Sequence, residues 1–130
     1  MLLLVETLLL IVTPLQYKNI EVKLVETHLD WNQGNDGKRC RQEQISQLVE
    51  TFRNDPYVII CADFNSNKKE EFYPFIETGY SFANDWITQQ DKTVTIDNII
   101  VKGFKVISSD IIEDQTLSDH PLLKASLYIQ

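Results

Sequence analysis

The sequence is short of several residue types, and each shortage excludes something. Its two cysteines, Cys40 and Cys61, stand far apart, with no Cys-x-x-Cys and no Cys/His spacing. A structural zinc site and a disulfide framework are thereby excluded, and a reducing, cytoplasmic compartment becomes the expectation. Basic charge is also scarce: 12 Lys and Arg stand against 19 Asp and Glu, for a formal net charge of −7. Proteins that hold nucleic acid mainly by its phosphates present a basic face, and the densest basic run here is only Lys38-Arg39-Cys40-Arg41. Long apolar runs are missing too. Met1 to Val12 is strongly apolar, but it is too short for a transmembrane segment, is interrupted by Glu6 and lacks the positively charged start of a signal peptide. It reads as a buried strand, or as a strand and a turn at Pro14.

What is present suits one globular domain over residues 1–130, with 43% hydrophobic residues and enough Phe, Tyr and Trp for a modest core. Ile20 to Leu24 alternates apolar and charged residues, the period of a half-buried strand. Lys18-Asn19 before it is a candidate hairpin turn, with Thr13 to Tyr17 as the partner strand. Trp31 to Gly37 reads as a polar loop. Arg41 to Phe52 is the best helix, with Ile45, Leu48, Val49 and Phe52 on one apolar face and Asn54-Asp55-Pro56 as its stop. Tyr57 to Cys61 is a short apolar run typical of a strand covered on both faces, so Cys61 is expected as a buried thiol. Lys68 to Thr78 reads as a short helix interrupted near Pro74 and ending at Gly79. Thr93 to Val101, Lys105 to Ser109 and Leu122 to Ile129 read as strands. The tetrapeptide Leu-Val-Glu-Thr recurs at Leu4, Leu24 and Leu48, but its flanks do not match and no repeat architecture follows. Strands and helices are mixed, which implies an α+β or α/β sandwich.

The two histidines carry the most chemical information, because each lies beside a carboxylate at the end of an apolar stretch. Thr27-His28-Leu29-Asp30 closes one strand, and Ser118-Asp119-His120-Pro121 precedes the last. Between them, Ala62-Asp63-Phe64-Asn65 follows the buried strand, and Ile96-Asp97-Asn98-Ile99 sits inside another apolar run. Polar residues at strand ends in such sheets often line a site. An acid flanked by isoleucines, as Asp97 is, needs a partner if buried, and a histidine is a natural one. Asp63 and Asp119 offer oxygens to a hard cation. The set suits phosphoryl chemistry: a metal, a base for water and imidazoles for phosphate oxygens. Taken singly, each segment also reads as a turn or helix cap. Asp30 reads as a loop-starting acid, Arg41 and Gln44 as helix surface and N-terminal packing, and Lys68-Lys69-Glu70-Glu71 as a solvated face. Trp31, Phe82 and Trp86 read as core or loop anchors rather than base-stacking platforms.

The ordered series T-H-L-D, D-F-N, I-D-x-I and S-D-H resembles the endonuclease/exonuclease/phosphatase family of deoxyribonuclease I-like proteins, from about Asn19 to the C-terminus. The resemblance implies an α+β fold, part of a four-layer α/β/β/α sandwich, here about one sheet with its helices. It implies that His28 hydrogen-bonds the scissile phosphate, that Asp63 orients and deprotonates the attacking water, and that Asn65 positions that Asp and the phosphate. Asp97 would hold His120, His120 would stabilise charge building on the phosphate, and Asp119, with Asp63, would bind Mg2+ or Mn2+. The substrate would be a phosphoester, either nucleic acid or a small or lipid phosphate.

Three departures from the family pattern stand out. Ala62 replaces the usual Gly, which would crowd the backbone near Asp63. Asn98 replaces a common aromatic, which would alter substrate contact. Residues 1–17 form an atypical N-terminal segment, and the family's first half, with its Asn and its metal-binding Glu, has no convincing counterpart. Glu6 follows an apolar run as that Glu does, but it equally reads as an incidental strand-end acid. One sheet with helices on one side would leave its other face bare. A separate N-terminal half or a homodimer would then cover that face. Three readings of function stay open on the sequence: a metal-dependent phosphodiesterase, an inactive remnant acting as a binding or assembly module, and a phosphomonoesterase.

Overall fold

The structure, a computed structural model, describes residues 1–5 and 8–130, with residues 2–5 described by backbone alone. The strands are β1 (Leu2–Val5), β2 (Leu8–Tyr17), β3 (Ile20–His28), β4 (Val58–Asp63), β5 (Ser81–Phe82), β6 (Asp97–Lys102), β7 (Phe104–Ile112) and β8 (Leu122–Ile129). The helices are α1 (Asn35–Thr51) and α2 (Tyr73–Glu77), the second preceded by a 3-10 turn at Lys69–Phe72. The main sheet runs β1-β2-β3-β4-β6-β5, and β7 with β8 forms a separate two-stranded ribbon. Strands β3 and β4 are parallel, while the other described pairs are antiparallel. A parallel pair needs a crossover, and α1 supplies it.

The hairpin at Lys18-Asn19 forms as expected, with Tyr17 opposite Ile20. Its first strand is longer than expected, because Pro14 sits inside β2 opposite Lys23 rather than at a turn. Strand β1 pairs with Leu8 to Ile11 of β2, so Pro14 lies where β2 is the outer strand, a place that tolerates a residue without an N–H. Helix α1 begins at Asn35, not Arg41. The end of the polar run that reads as loop is therefore its first turn. Gly37 packs there so closely that a Cβ would lie 1.9 Å from the Asn32 carbonyl oxygen. The strand expected from Thr93 starts only at Asp97. Ahead of it, the Thr93 carbonyl accepts from Asn84 Nδ2 and the Ile96 carbonyl accepts from the Phe64 N–H, so loop contacts take up these groups.

The apolar face of α1 is Ile45, Leu48 and Phe52, with Val49 at its margin. It packs on Leu10, Val25, Val58, Ile60 and Ile100 of the sheet, together with Phe64, Phe72, Phe75 and Phe82. Phe72 is the hub of an edge-to-face aromatic cluster, with ring centroids 5.4 Å from Phe64 and 6.0 Å from Phe82, and Phe64 extends it to Phe75 at 5.9 Å. Trp86 joins it through Phe72, as an anchor of the 83–93 loop. At the C-terminus of α1, Lys102 Nζ donates to the Phe52 carbonyl at 2.7 Å, a cation on the negative end of the helix.

The opposite face of the sheet is not wholly bare, contrary to the expectation. The ribbon covers one end of it, with Phe104, Val106, Leu127 and Ile129 against Val22, Ile59, Ile99 and Val101. Beyond the ribbon, Leu9, Ile11, Leu15 and Tyr17 of β2 remain exposed. A groove of about 710 Å³ runs along this margin, lined by Leu15, Tyr17, Ile20, Leu127 and Tyr128 among others. Cys61 is half-buried rather than enclosed, and burial raises its pKa. No helix among the described residues is long and apolar enough to cross a membrane.

Gly37→Ala is expected to destabilise the fold by about 1–3 kcal/mol, because the clash is with backbone. Gly34→Ala meets only the Asn32 side chain, at 3.1 Å, and should cost less. Urea unfolding midpoints of the two variants check the difference.

Candidate active site

The chain places three of the expected residues in one row by register alone. His28 ends β3 opposite Asp63 at the end of β4, and Asp63 lies opposite Asp97 at the start of β6. Alternation along each strand puts all three on the face that carries Val22, Ile59, Ile99 and Val101. The loop joining β7 to β8 brings His120 over the same row. His28 Nε2 lies 3.2 Å from Asp63 Oδ2, and His120 Nδ1 lies 2.7 Å from Asp97 Oδ2 and 3.9 Å from Asp63 Oδ2. The row thus runs imidazole, carboxylate, carboxylate, imidazole. His28 is open to solvent, with 68% of its side chain exposed, whereas both carboxylates are largely covered.

Asn65 is fixed by its own backbone. Its φ of 50° is left-handed, a region that Asn enters more readily than most residues. In that conformation its N–H donates to Asp63 Oδ1 at 2.8 Å and its Nδ2 donates to the Leu29 carbonyl at 2.8 Å. One Asp63 oxygen is thereby held by Asn65 while the other faces the histidines. The Leu29 N–H also donates to the Asp63 carbonyl at 2.9 Å, so the loops after β3 and β4 are tied to each other.

The Asp97 hydrogen bond, then the Asp97 charge, raise the pKa of His120 above its ordinary value of 6.5, with Asp63 and Asp119 adding to the effect and burial opposing it. Asp97 on Nδ1 also leaves Nε2 for another partner. Asp63, Asp97 and His120 can bring one ligand atom each within 4.8 Å of one another, a group suited to a metal ion. Two opposed carboxylates supply the hard oxygens that Mg2+ or Mn2+ prefers, so the residues fit such an ion. Asp119 stands outside that group, on the exposed loop with Glu113, Asp114 and His120. Glu6 lies outside the described residues.

Two departures from the family pattern turn out to face away from the row. Ala62 packs against the helix-side core, so its methyl does not crowd Asp63. Asn98 is buried, with its Oδ1 accepting from the Asn84 N–H and its Nδ2 donating to the Asn84 carbonyl. It ties down the 83–93 loop rather than reaching a substrate.

Other expectations fail. Trp31 is no anchor: it is 76% exposed on the loop after His28. Arg41 and Gln44 pack at the N-terminal part of α1 as expected, but they are buried there rather than on the helix surface. Lys68, Lys69 and Glu70 are exposed as expected, but Glu71 beside them is 2% exposed. Arg41 lies 3.1 Å from Glu71, and it donates to the carbonyls of Asp30 and Asn32. Removing one partner from such a buried pair leaves an uncompensated charge and typically costs about 3–5 kcal/mol. The sequence signal was available: Arg41, Gln44, Ile45 and Leu48 continue one helical face at i, i+3, i+4 and i+7.

No protein-family model matches the chain, and no curated protein does. Solved structures do match. The human Nocturnin catalytic domain with bound sulfate superposes with a TM-score of 0.77 at 20% identity, over 95% of this chain and 53% of that one. An endonuclease/exonuclease/phosphatase from Beutenbergia cavernae gives 0.76 at 14% identity, over 94% and 39%. D. rerio TDP2 complexed with single strand DNA product gives 0.69 at 14%, over 93% and 62%. The chain therefore has the α+β, deoxyribonuclease I-like fold of endonuclease/exonuclease/phosphatase proteins, and it spans between about two fifths and three fifths of the length of these structures.

Asp97→Asn is expected to lower the pKa of His120 toward 6.5, because it removes the charge that favours the imidazolium. The sign for stability follows. The raised native pKa contributes stability that is full below about 6.5, the unfolded value, and is lost as pH rises through the native value. NMR titration of the His120 ring in both proteins measures the shift.

Proposed function

We propose that the chain carries the active-site part of a metal-dependent phosphoester hydrolase that cleaves phosphodiesters by direct attack of water. The observation that supports this best is the His28–Asp63–Asp97–His120 row, in which two opposed carboxylates sit between two imidazoles. The shared fold supports it further, since one of the matching structures is complexed with a DNA product. With a net charge of −7, the chain suits a short or small phosphoester better than a long duplex held by its phosphates.

In this reading Asp63 accepts the proton of the attacking water, and the Asn65 N–H fixes the orientation of the carboxylate that does so. His120, kept cationic by Asp97, donates from Nε2 to a phosphate oxygen as charge builds there. His28 donates to a second phosphate oxygen from the solvent side of Asp63. A divalent ion, Mg2+ or Mn2+, would be held by the opposed carboxylates of Asp63 and Asp97, and would neutralise charge on the phosphate. The open mouth of about 370 Å³ beside Asp63, Asp97, His120 and Leu122 would admit the ester.

The chain is proposed as an incomplete domain whose exposed β2 face takes a further layer, either a separate N-terminal half or a second copy of this chain. Leu9, Ile11, Leu15 and Tyr17 supply the apolar surface for it. For the purified chain on its own, self-association is the expected outcome. Light scattering should give a mass above that of one copy, and Leu15→Lys should return it to one copy. A single-copy mass for the unaltered chain counts against a second copy as the layer on this face.

Cleavage of bis-p-nitrophenyl phosphate and of plasmid DNA, with Mg2+ or Mn2+ and after chelation, tests the reaction. Asp63→Asn is expected to reduce metal-dependent cleavage by about a hundredfold or more. Cleavage that survives this substitution overturns the role given to Asp63.

A further inference from the structure

We propose that the buried Arg41–Glu71 pair is a positioning device for the candidate active site, setting the loop after His28 and the turn at Asn65 in fixed relation to each other. In its kinetic consequence the inference rests on the phosphoester reading above. In its structural consequence it stands alone.

The guanidinium of Arg41 divides its donors between two targets. Nη1 donates to the carbonyls of Asp30 at 3.2 Å and Asn32 at 2.5 Å, in the loop that follows His28. Nε and Nη2 face Glu71 Oε1 at 3.2 and 3.1 Å. The other Glu71 oxygen accepts from the Ser66 hydroxyl, which in turn accepts from the Lys68 N–H at 3.1 Å. Ser66 directly follows Asn65, and Asp30 lies two residues beyond His28. Gln44 Oε1 accepts from the Asp30 N–H at 2.9 Å, a second hold on the same loop from α1. The two loops then lock together through Asn65 Nδ2 on the Leu29 carbonyl and Gln33 Nε2 on the Asn65 carbonyl, at 2.8 and 3.0 Å.

Core stability alone does not account for this arrangement. Buried ion pairs are often replaceable by apolar residues at no cost. A planar fork that spans two carbonyls and a carboxylate does something an apolar residue cannot: it fixes loop backbone at a set distance and angle. The loops so fixed carry the backbone beside His28 and the left-handed turn that aims Asn65 at Asp63.

The test uses two variants of the full chain. Arg41→Lys keeps a cation but cannot span both targets. Ser66→Ala removes the link from Glu71 to the Asn65 turn, together with the Lys68 N–H bond to the same hydroxyl, and leaves the Arg41–Glu71 charges paired. Amide hydrogen exchange by NMR is the first measurement. The expected result is faster exchange at Leu29 and Asn65 in Arg41→Lys, with Ile60 and Ile100 in the sheet still protected and the Asn65 side-chain amide signal shifted. In Ser66→Ala the change is expected at Asn65 and less at Leu29. The second measurement is steady-state cleavage of bis-p-nitrophenyl phosphate. A kcat lower by about ten- to a hundredfold, with KM within about twofold, is expected of Arg41→Lys.

Unchanged exchange at Leu29 and Asn65 in both variants overturns the inference, as does uniform loss of protection that includes Ile60 and Ile100 in Ser66→Ala. If Arg41→Lys fails to fold, Ser66→Ala decides. If the unaltered chain cleaves nothing, the phosphoester reading fails, while the exchange results still decide the positioning role.

Discussion

Asp63 and Asp97 face each other across β4 and β6, and like charges directly opposed on antiparallel strands repel. The sheet imposes this pairing. Val58 and Ile60 on β4 and Ile100 on β6 belong to the helix-side core, and a slip of one residue would turn them outward. Apolar packing along the strands therefore holds together two acids at their ends. His120, whose cationic form Asp97 favours, offsets the repulsion on one side, and His28 lies beside Asp63 on the other. The same charge makes the row a place for a divalent ion. Row and fold are coupled in this sense: the core sets the register, and the register lines up the four side chains.

The loops around the row are held less by apolar contact than by hydrogen bonds to backbone. Asn65 takes a left-handed conformation, Gly37 lets the Asn32 carbonyl approach α1, and Arg41 donates to that same carbonyl. These three features belong together, since the loop after β3 must lie close to α1 for Arg41 to reach it. A side chain at position 37 would push the loop away. Precision at the site thus depends on the absence of one Cβ and the presence of one planar cation.

The two faces of the sheet have different fates. The helix side is closed by α1, α2 and the aromatic cluster around Phe72. The other side is closed at the end where the ribbon packs, while β2 keeps Leu9, Ile11, Leu15 and Tyr17 exposed. The matching structures contain more chain than this one does, and Leu9, Ile11, Leu15 and Tyr17 leave apolar area exposed along β2. The site row itself is nonetheless assembled from residues of this chain.

Much of this was legible in the sequence. Alternation marked β3, the apolar run marked β4, the i, i+3, i+4, i+7 face marked α1, and four ordered motifs pointed to His28, Asp63, Asn65, Asp97 and His120. Local pattern sufficed there because these elements bury a periodic face, and periodicity is a property of neighbouring residues. Pattern failed where partners are distant in sequence. Arg41 and Glu71 read as surface because charge normally seeks water, and only the approach of the loops buries them together. Asn98 read as a departure that alters substrate contact, whereas the 83–93 loop takes up its amide. The tetrapeptide Leu-Val-Glu-Thr makes the division plain: it is strand in β3 from Leu24 and helix in α1 from Leu48. Sequence by itself determined which ionisable residues stand at the strand ends and which faces are apolar, since both are written in residue type and spacing. Tertiary structure alone decided which charges are buried and which loops meet, because burial and long-range hydrogen bonds depend on segments that the chain brings together only when folded.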